Sequence, residues 1–290
     1  MNTFACEVKQ EEQNGDLAQA AVVDSHVHIH DCFDLSSFFN AAYNNFQAAG
    51  RDMQLNRFRG VLLLTESEGV TWFQKLWNAS ALTQAIEWRV HQTQESCSLV
   101  VSHPLQRELI IIAGRQIVTR EKLEVLALGT DETFPDGRPV RDVLQDVHAS
   151  NAITVLPWGF GKWIGRRGAI MNDLIASAAS PPFYLGDNCG RLALAPIPKH
   201  FRLGRQRNIR ILPGSNPLPF ASEFWRPGSF GFVLYGPISR ATPAADLKRC
   251  LFDQNTDITR YGKLENPVRF MRNQIAMQVK NRLGKQRSWI

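Results

Sequence analysis

The sequence predicts an α/β fold, a distorted parallel βα barrel of about seven strands with a C-terminal helical extension. Short apolar runs alternate with helical patterns between residues 21 and 240, and this alternation is typical of parallel sheets. Polar side chains follow most of the apolar runs, and the carboxyl ends of the strands form the functional edge of such folds. We therefore predict a polar lead-in over residues 1–20, a barrel over 21–240 and a basic helical extension over 241–290.

The elements of the first half follow from apolar periodicity. A buried strand ends in VVDSHVHIH, residues 22–30. A helix is predicted over residues 34–50, with Ser36 or Ser37 near its N-cap and Gly50 at its end. The run FRGVLLLTESEG predicts a second strand, and TWFQKLWNASALTQAIEWRV, residues 71–90, predicts a second helix.

The second half continues the same alternation. Residues 108–130 predict two β segments joined by a charged turn. Strands are then predicted at 152–159, 181–188 and 207–216, with helices at 141–150 and 169–180. In the extension, we expect an apolar stripe to pack on the barrel, and its members are Val268, Met271, Ile275, Val279 and Leu283.

The alternating histidines at the end of the first strand predict a metal site. In an extended backbone, side chains at positions i and i+2 point the same way, so His26 and His28 can share one ion, while His30 falls in the following loop. Imidazole is the commonest metal ligand, but a catalytic zinc site typically has three protein ligands. Carboxylates at other strand ends are candidates to complete the set, namely Glu66, Glu124 and Asp187.

The motif Asp24-Ser25-His26-Val27-His28 resembles the first motif of the polymerase-and-histidinol-phosphatase superfamily, metal-dependent phosphoesterases on a distorted βα barrel. Residues 22 to 235 correspond to that barrel. Its later motifs, Thr-Asp-His, Gly-x-Glu and Gly-Ser-Asp-x-His, correspond here to TES at 65–67, GRQ at 114–116 and GSNPL at 214–218. Only the first motif is intact.

The departures change the metal chemistry that the resemblance implies. Gln116 is neutral where the superfamily has a bridging glutamate, and Ser67, Asn216 and Leu218 replace other ligands. We therefore expect one or two divalent ions rather than three. Ligation by histidine and carboxylate suits zinc, manganese or iron.

A glycine-rich basic loop predicts an anion site near the metal. The segment VLPWGFGKWIGRRG carries Lys162 and Arg166 and opens a helix, whose N-terminal N–H groups favour anions. With Arg191 and Asn216 they form the predicted binding residues for a small phosphorylated or anionic substrate. Lys162 and Arg191 would stabilise phosphoryl charge, and Glu66 or Asp31 would act as general base.

Two other functions stay open. An amidohydrolase-type carbon–nitrogen hydrolase also opens with His-x-His, but it needs later histidines at strand ends, and His103, His148 and His200 do not lie there. Alternatively, the substitutions indicate a barrel that has lost catalysis and binds a ligand or a partner.

Charge and composition restrict the partners. The chain has a net charge of +6, and residues 261–290 contain seven Lys or Arg but only one acid, Glu265. A second basic cluster, KHFRLGRQRNIR at 199–210, contains no acid. Both segments could touch nucleic acid, but a solvated basic face is favoured because aromatic residues are sparse.

No apolar run is long enough for a membrane helix. The N-terminus does not resemble a signal peptide, and five scattered cysteines predict a reduced, cytoplasmic protein.

Overall fold

Strands and helices alternate along most of the chain. The computed structural model describes residues 17–78, 87–177, 182–193 and 196–287. The strands are β1 Leu17–Ala18, β2 Ala21–Val27, β3 Arg59–Leu64, β4 Arg89–Gln92, β5 Ser98–His103, β6 Arg107–Ile112, β7 Gly114–Val118, β8 Glu124–Leu128, β9 Ile153–Trp158, β10 Tyr184–Asp187, β11 Ile211–Pro213, β12 Phe230–Leu234, β13 Ile238–Ser239 and β14 Ile258–Gly262. The α-helices are α1 Leu35–Asp52, α2 Trp72–Trp77, α3 Val140–Ala149, α4 Gly165–Ala176, α5 Lys199–Gln206, α6 Pro243–Phe252 and α7 Pro267–Arg287.

Most strands form two mixed sheets. The larger sheet has the order β14-β12-β2-β3-β6-β5-β4, and the smaller has the order β11-β10-β9-β8-β7. Strands β2, β3 and β6 are mutually parallel, as are β9, β10 and β11. The remaining pairs in both sheets are antiparallel. A separate pair, β1 with β13, is antiparallel.

The two sheets meet at two places. After β3, the Glu66 N–H donates to the Gly114 carbonyl (3.1 Å) and the Gln116 N–H donates to the Glu66 carbonyl (2.9 Å). After β11, the Asn216 N–H donates to the His26 carbonyl at 2.7 Å. These bonds bring the carboxyl ends of β2, β3 and β11 towards one another, together with the start of β7.

The structure confirms an α/β fold, but its strand directions are mixed rather than all parallel, and the predicted barrel is not confirmed. The described strands form several mixed sheets, and no closed barrel is detected among them. Short connections explain the difference, because parallel neighbours need a long crossover whereas a tight turn joins antiparallel strands. The turns 119–123 and 104–106 are such connections, and they make β7–β8 and β5–β6 antiparallel hairpins.

Alternate residues of the central strands separate the core into layers. Val22, Leu62 and Ile111 face the cluster that includes α1. Val23 and Leu63 face the opposite cluster, which the second sheet and α6 also line. This is the two-residue period of strands with both faces buried. A third cluster lies between the smaller sheet and helices α3, α4 and α5.

Two helix predictions need correction at their ends. Asp34, rather than Ser36 or Ser37, caps α1, because its carboxylate accepts the Ser37 N–H at 2.8 Å. The helix predicted over residues 71–90 is described only as α2, and residues 79–86 lie outside the described part. At its end, Arg89–Gln92 forms an edge strand paired with β5, so sheet pairing prevails there over the helical pattern.

The helix α7 contacts the rest of the molecule through a different face from the predicted one. Phe270 is buried and its ring packs edge-on against Phe160 at 5.1 Å. Val268, Met271 and Ile275 are exposed, so the prediction that they pack on the barrel is wrong. The side chains of Val279 and Leu283 lie outside the described part. Within the described residues, no helix is long and apolar enough to span a membrane.

Candidate metal centre

His26 and His28 meet at the end of β2. Their Nε2 atoms lie 3.2 Å apart, and the rings are edge-on with centroids 5.1 Å apart. The pairing of β2 with β3 shifts register between Asp24 and Val27. The next strand end adds Thr65, whose Oγ1 lies 3.4 Å from the His28 Nε2. The predicted convergence of the two imidazoles is therefore present in the structure.

The buried carboxylate of Asp24 fixes the backbone around this pair. One oxygen accepts the N–H groups of Ser215 (2.8 Å) and His26 (3.2 Å), and the other accepts the Gly228 N–H (2.8 Å). Burial raises the pKa of Asp24 to about 6, and these hydrogen bonds oppose the rise. Asp24 thus joins β2 to two distant loops.

Gly214 allows those loops to approach. A Cβ atom at this position would lie 2.4 Å from the His26 backbone nitrogen, a distance that no side chain tolerates without backbone movement. The neighbouring Asn216 has a φ of 45°, a left-handed conformation that asparagine adopts more readily than most residues. This predicted substrate residue therefore contacts the metal motif through its backbone N–H.

Both imidazoles are held neutral. Burial lowers the pKa of His26 to about 3, and the Lys162 charge lowers it further, while a hydrogen bond with the Gln116 side chain raises it. Burial also holds the pKa of His28 well below its usual value, with the same contributions from Lys162 and Gln116. Neutral imidazole is the form that binds metals.

Lys162 lies on the loop after β9 and pairs with Glu124. The Lys162 side chain packs over Gly159, where a Cβ would lie 2.6 Å from it and would displace the lysine. The predicted ligand Glu124 is therefore engaged by the predicted substrate-binding lysine. Arg166, the other basic residue predicted from this loop, is exposed on α4.

The two residues predicted as general base, Glu66 and Asp31, differ in their surroundings. Glu66 accepts the Arg115 guanidinium at 2.8 Å and the Phe73 N–H at 2.6 Å. Burial raises the pKa of Glu66, and these partners oppose the rise. Asp31, the alternative general base, is exposed and lies 3.9 Å from the Lys75 ammonium.

Asp187 and Arg191 form a buried pair after β10. The guanidinium donates Nη2 to one carboxylate oxygen at 2.9 Å and Nε to both oxygens. The sequence placed Asp187 among the metal ligands and Arg191 in the anion site. In the structure, each is the other's main partner.

The histidine pair fits a metal ion as two ligands. Tetrahedral ligands about 2.0–2.1 Å from zinc lie roughly 3.3 Å apart, close to the separation of the two Nε2 atoms. Among the described residues, no group of three His, Cys, Asp or Glu side chains could hold a metal. The Gln116 amide is a further neutral group at this site, and its hydrogen bonding raises the pKa of both imidazoles.

Sequence reasoning missed the positioning residues. Gln116 was noted only as a lost carboxylate, and Asp24, Thr65 and Gly214 were given no role of their own. The next histidine, His30, has a different partner: its Nε2 lies 3.0 Å from the Pro217 carbonyl oxygen, and its ring stacks on His28. The one sequence feature that points to such a role is the position of Asp24, two residues before His26 on the same strand.

Comparison with known proteins supports the fold but assigns no family. No family model matches the chain, and no curated protein matches it. The crystal structure of PsfC from Pseudomonas syringae PB-5123 is similar at 13% identity, with a TM-score of 0.57, over 90% of this chain and 99% of that one. The lesion-specific endonuclease PfuEndoQ from Pyrococcus furiosus is similar at 9% identity, with a TM-score of 0.50, over 83% of this chain.

These likenesses concern the fold alone. This chain spans 58% of the length of the endonuclease. At identities of 13% and 9%, the two neighbours show a shared fold and assign no activity to this chain.

Proposed function

We propose that the chain is a divalent-metal-dependent hydrolase that acts on phosphate esters. The observation that carries this proposal is the pair of buried, neutral imidazoles, His26 and His28, whose Nε2 atoms converge at 3.2 Å. The likeness of the fold to an endonuclease, an enzyme that cleaves phosphodiesters, agrees with this class of reaction.

The metal would be held by His26 and His28, with the Gln116 amide beside them. A bound divalent ion would polarise a phosphoryl oxygen and lower the pKa of its water. Zinc, manganese and iron suit the imidazole donors. A single ion fits two imidazoles better than the larger clusters that carboxylate bridges assemble.

Lys162 is the residue that would bind the phosphoryl group. Its positive charge lowers the pKa of both imidazoles, and the same charge would attract a phosphoryl group bound at the metal. Glu124 holds the ammonium in position before the substrate binds. A developing negative charge on the phosphoryl oxygens would then be stabilised by a cation already in place.

Glu66 is better placed than Asp31 to accept a proton. Its carboxylate is buried, and the hydroxyl of the preceding residue, Thr65, lies 3.4 Å from the His28 Nε2. Burial raises the pKa of Glu66, which makes the carboxylate a stronger base than an exposed one. Arg115 and the Phe73 N–H fix its orientation.

A binding module without catalysis is the second candidate. Each of the predicted carboxylate ligands is paired with a cation, namely Arg115, Lys162 or Arg191. Two imidazoles and a neutral amide supply no negative charge to the ion, whereas a catalytic set such as two histidines and a glutamate does. The amidohydrolase alternative is less favoured, because His200 packs on Trp163 and bonds to the Gly168 carbonyl, and His148 is exposed on α3.

Hydrolysis of bis(p-nitrophenyl) phosphate with added zinc, manganese or iron tests the proposal. The expected result is metal-dependent turnover that Lys162→Ala reduces by about tenfold or more, because a charge-assisted hydrogen bond to the phosphoryl group contributes about 1.5–3 kcal/mol. Lys263→Ala, at an exposed lysine elsewhere, is the matched control. Metal binding without turnover of any phosphate ester would favour the binding module.

A further inference from the structure

A large cleft lies beside β11, outside the candidate metal centre. It has a volume of about 930 Å³ and lies between α5, β11, the edge strand β14 and its neighbour β12. None of the residues that line it is His26, His28, Gln116 or Lys162. Its size is within the range of small-molecule sites, which is about 300–1,000 Å³.

Four arginines line this cleft, and we call it the arginine cleft: Arg191, Arg205, Arg210 and Arg260. Asp187 is the one carboxylate among its lining residues, and Arg191 neutralises it through a bidentate pair. The remaining three guanidinium groups therefore give the cleft a positive charge with no acid in its lining to balance it.

Arg210 is fixed in place without losing its charge. Its guanidinium donates to the backbone carbonyls of Leu251 (3.2 Å), Gln254 and Thr256 (2.8 Å). Carbonyl oxygens orient the group but carry no formal charge to cancel it. A cation held in this way is ready for an anion and needs little further ordering when the anion binds.

Arg205 and Arg260 line the cleft, and no described acidic side chain neutralises their charges. Both are exposed, and among the described residues no carboxylate pairs with either of them. Arg205 lies in the last turn of α5, one turn after the buried Phe201, which also lines the cleft. The basic cluster that sequence reasoning assigned to a solvated face thus forms one wall of a cavity.

The rest of the lining suits an organic group. Ile197, Ile209 and Ile258 contribute apolar surface, and Ile197 is 43% exposed. A second cavity of about 430 Å³ shares Asn208, Ile209, Arg210 and Gln254 with the cleft. Its lining adds Arg207 and contains no carboxylate, so the positive surface continues beyond the first cavity.

We propose that the arginine cleft binds a phosphate ester at a site separate from the metal centre. The phosphate would lie between Arg205, Arg210 and Arg260, and the organic part would lie against the isoleucines. Phosphate is favoured over a carboxylate because several planar guanidinium groups can share its oxygens by bidentate bonds. The ester could be a free nucleotide or part of a nucleic acid strand, since both present the same chemistry.

Binding measurements on the full chain with three probes test this proposal. The probes are inorganic phosphate, adenosine monophosphate and a short single-stranded oligodeoxynucleotide, each titrated at fixed ionic strength. Arg205→Gln with Arg260→Gln should weaken binding of the ester probes by roughly tenfold or more. The matched control is Arg89→Gln with Arg141→Gln, two exposed arginines away from the cleft. His26→Ala with His28→Ala should leave this binding unchanged.

The possible results separate the explanations. Equal weakening by both arginine pairs would show unspecific attraction to a basic protein and overturn the proposal. Loss of binding in the histidine variant would assign the phosphate to the metal centre and also overturn it, while leaving the proposed hydrolase intact. Absence of ester binding, or tighter binding of polyglutamate than of the ester probes, would contradict it. If the arginine effect is confirmed, the relative affinities of the nucleotide and the oligonucleotide identify the source of the ester.

Discussion

At the level of single residues, the histidine pair depends on neighbouring residues that hold its backbone and rings in place. Asp24 ties the β2 backbone to the loops at Ser215 and Gly228, and Gly214 leaves the space that the His26 backbone occupies. The neutral amide of Gln116 raises the pKa of both imidazoles through hydrogen bonding. The structure therefore provides a preorganised pair of nitrogen ligands and a third position that lacks a charge.

Gln116→Glu should strengthen metal binding. A carboxylate beside two imidazoles would complete the three-ligand set that catalytic zinc sites typically use. The expected outcome is a metal Kd lower by tenfold or more in a competitive chelator titration. Gln145→Glu, an exposed position on α3, adds the same charge elsewhere and should leave the Kd unchanged. An unchanged Kd in Gln116→Glu would mean that residue 116 does not reach the ion.

At the level of elements, each strand end that forms the centre follows a buried apolar run. β3 and β9 are largely hydrophobic, as buried parallel strands are, and β2 opens with three apolar residues before Asp24. Helix ends are set by individual polar contacts instead. The α1 helix begins where the Asp34 carboxylate accepts the Ser37 N–H.

Asp34→Ala should lower the free energy of unfolding by about 1 kcal/mol at neutral pH, because the N-cap hydrogen bond is lost. Hydrogen bonds with Ser37 lower the pKa of Asp34 in the folded state. The capping contribution is therefore complete above the unfolded pKa and disappears as the pH falls through the folded value. Urea unfolding at neutral and acidic pH measures both effects. Ser36→Ala should have a much smaller effect, and equal losses for the two variants would contradict the assignment of the cap.

At the scale of the whole molecule, a buried ionic cluster joins the segment after β11 to the segment before α7. Arg226 contacts Glu265 at 2.6 Å and Glu223 at 3.4 Å, and all three side chains are almost fully buried. Burial raises the pKa of Glu223, and the nearby arginines oppose the rise. Arg269 and Arg272 of α7 extend the cluster to the surface. Removing one member would leave an uncompensated buried charge.

Arg226→Met should destabilise the fold by about 3–5 kcal/mol, since breaking a buried pair costs far more than breaking an exposed one. Arg249→Met removes the exposed pair with Asp246 and should cost no more than about 1 kcal/mol. Chemical denaturation of the two variants gives the comparison. Similar stabilities would show that the buried cluster contributes no more than a surface pair.

The same scale shows what the sequence could and could not predict. Apolar runs located the β2, β3, β9 and β10 strands, and alternation identified His26 and His28 as neighbours, because both depend on local periodicity. The partners of Glu66, Glu124 and Asp187 depend on which distant cation approaches. Arg115 reaches Glu66 from a neighbouring strand, and no pattern in the sequence specifies that contact. The antiparallel pairs likewise depend on the short turns 104–106 and 119–123, which apolar periodicity does not specify.

The most direct test of the central claim is the metal content of the folded protein with and without the histidine pair. After equilibration with zinc and removal of unbound metal, elemental analysis of the unaltered protein should give about one ion per chain, as expected for one tetrahedral site. His26→Ala with His28→Ala should lose that ion while circular dichroism shows a retained fold, and His91→Ala with His148→Ala, two exposed histidines, should keep it. Retention of the ion in the folded His26/His28 variant would contradict the metal centre described for this protein.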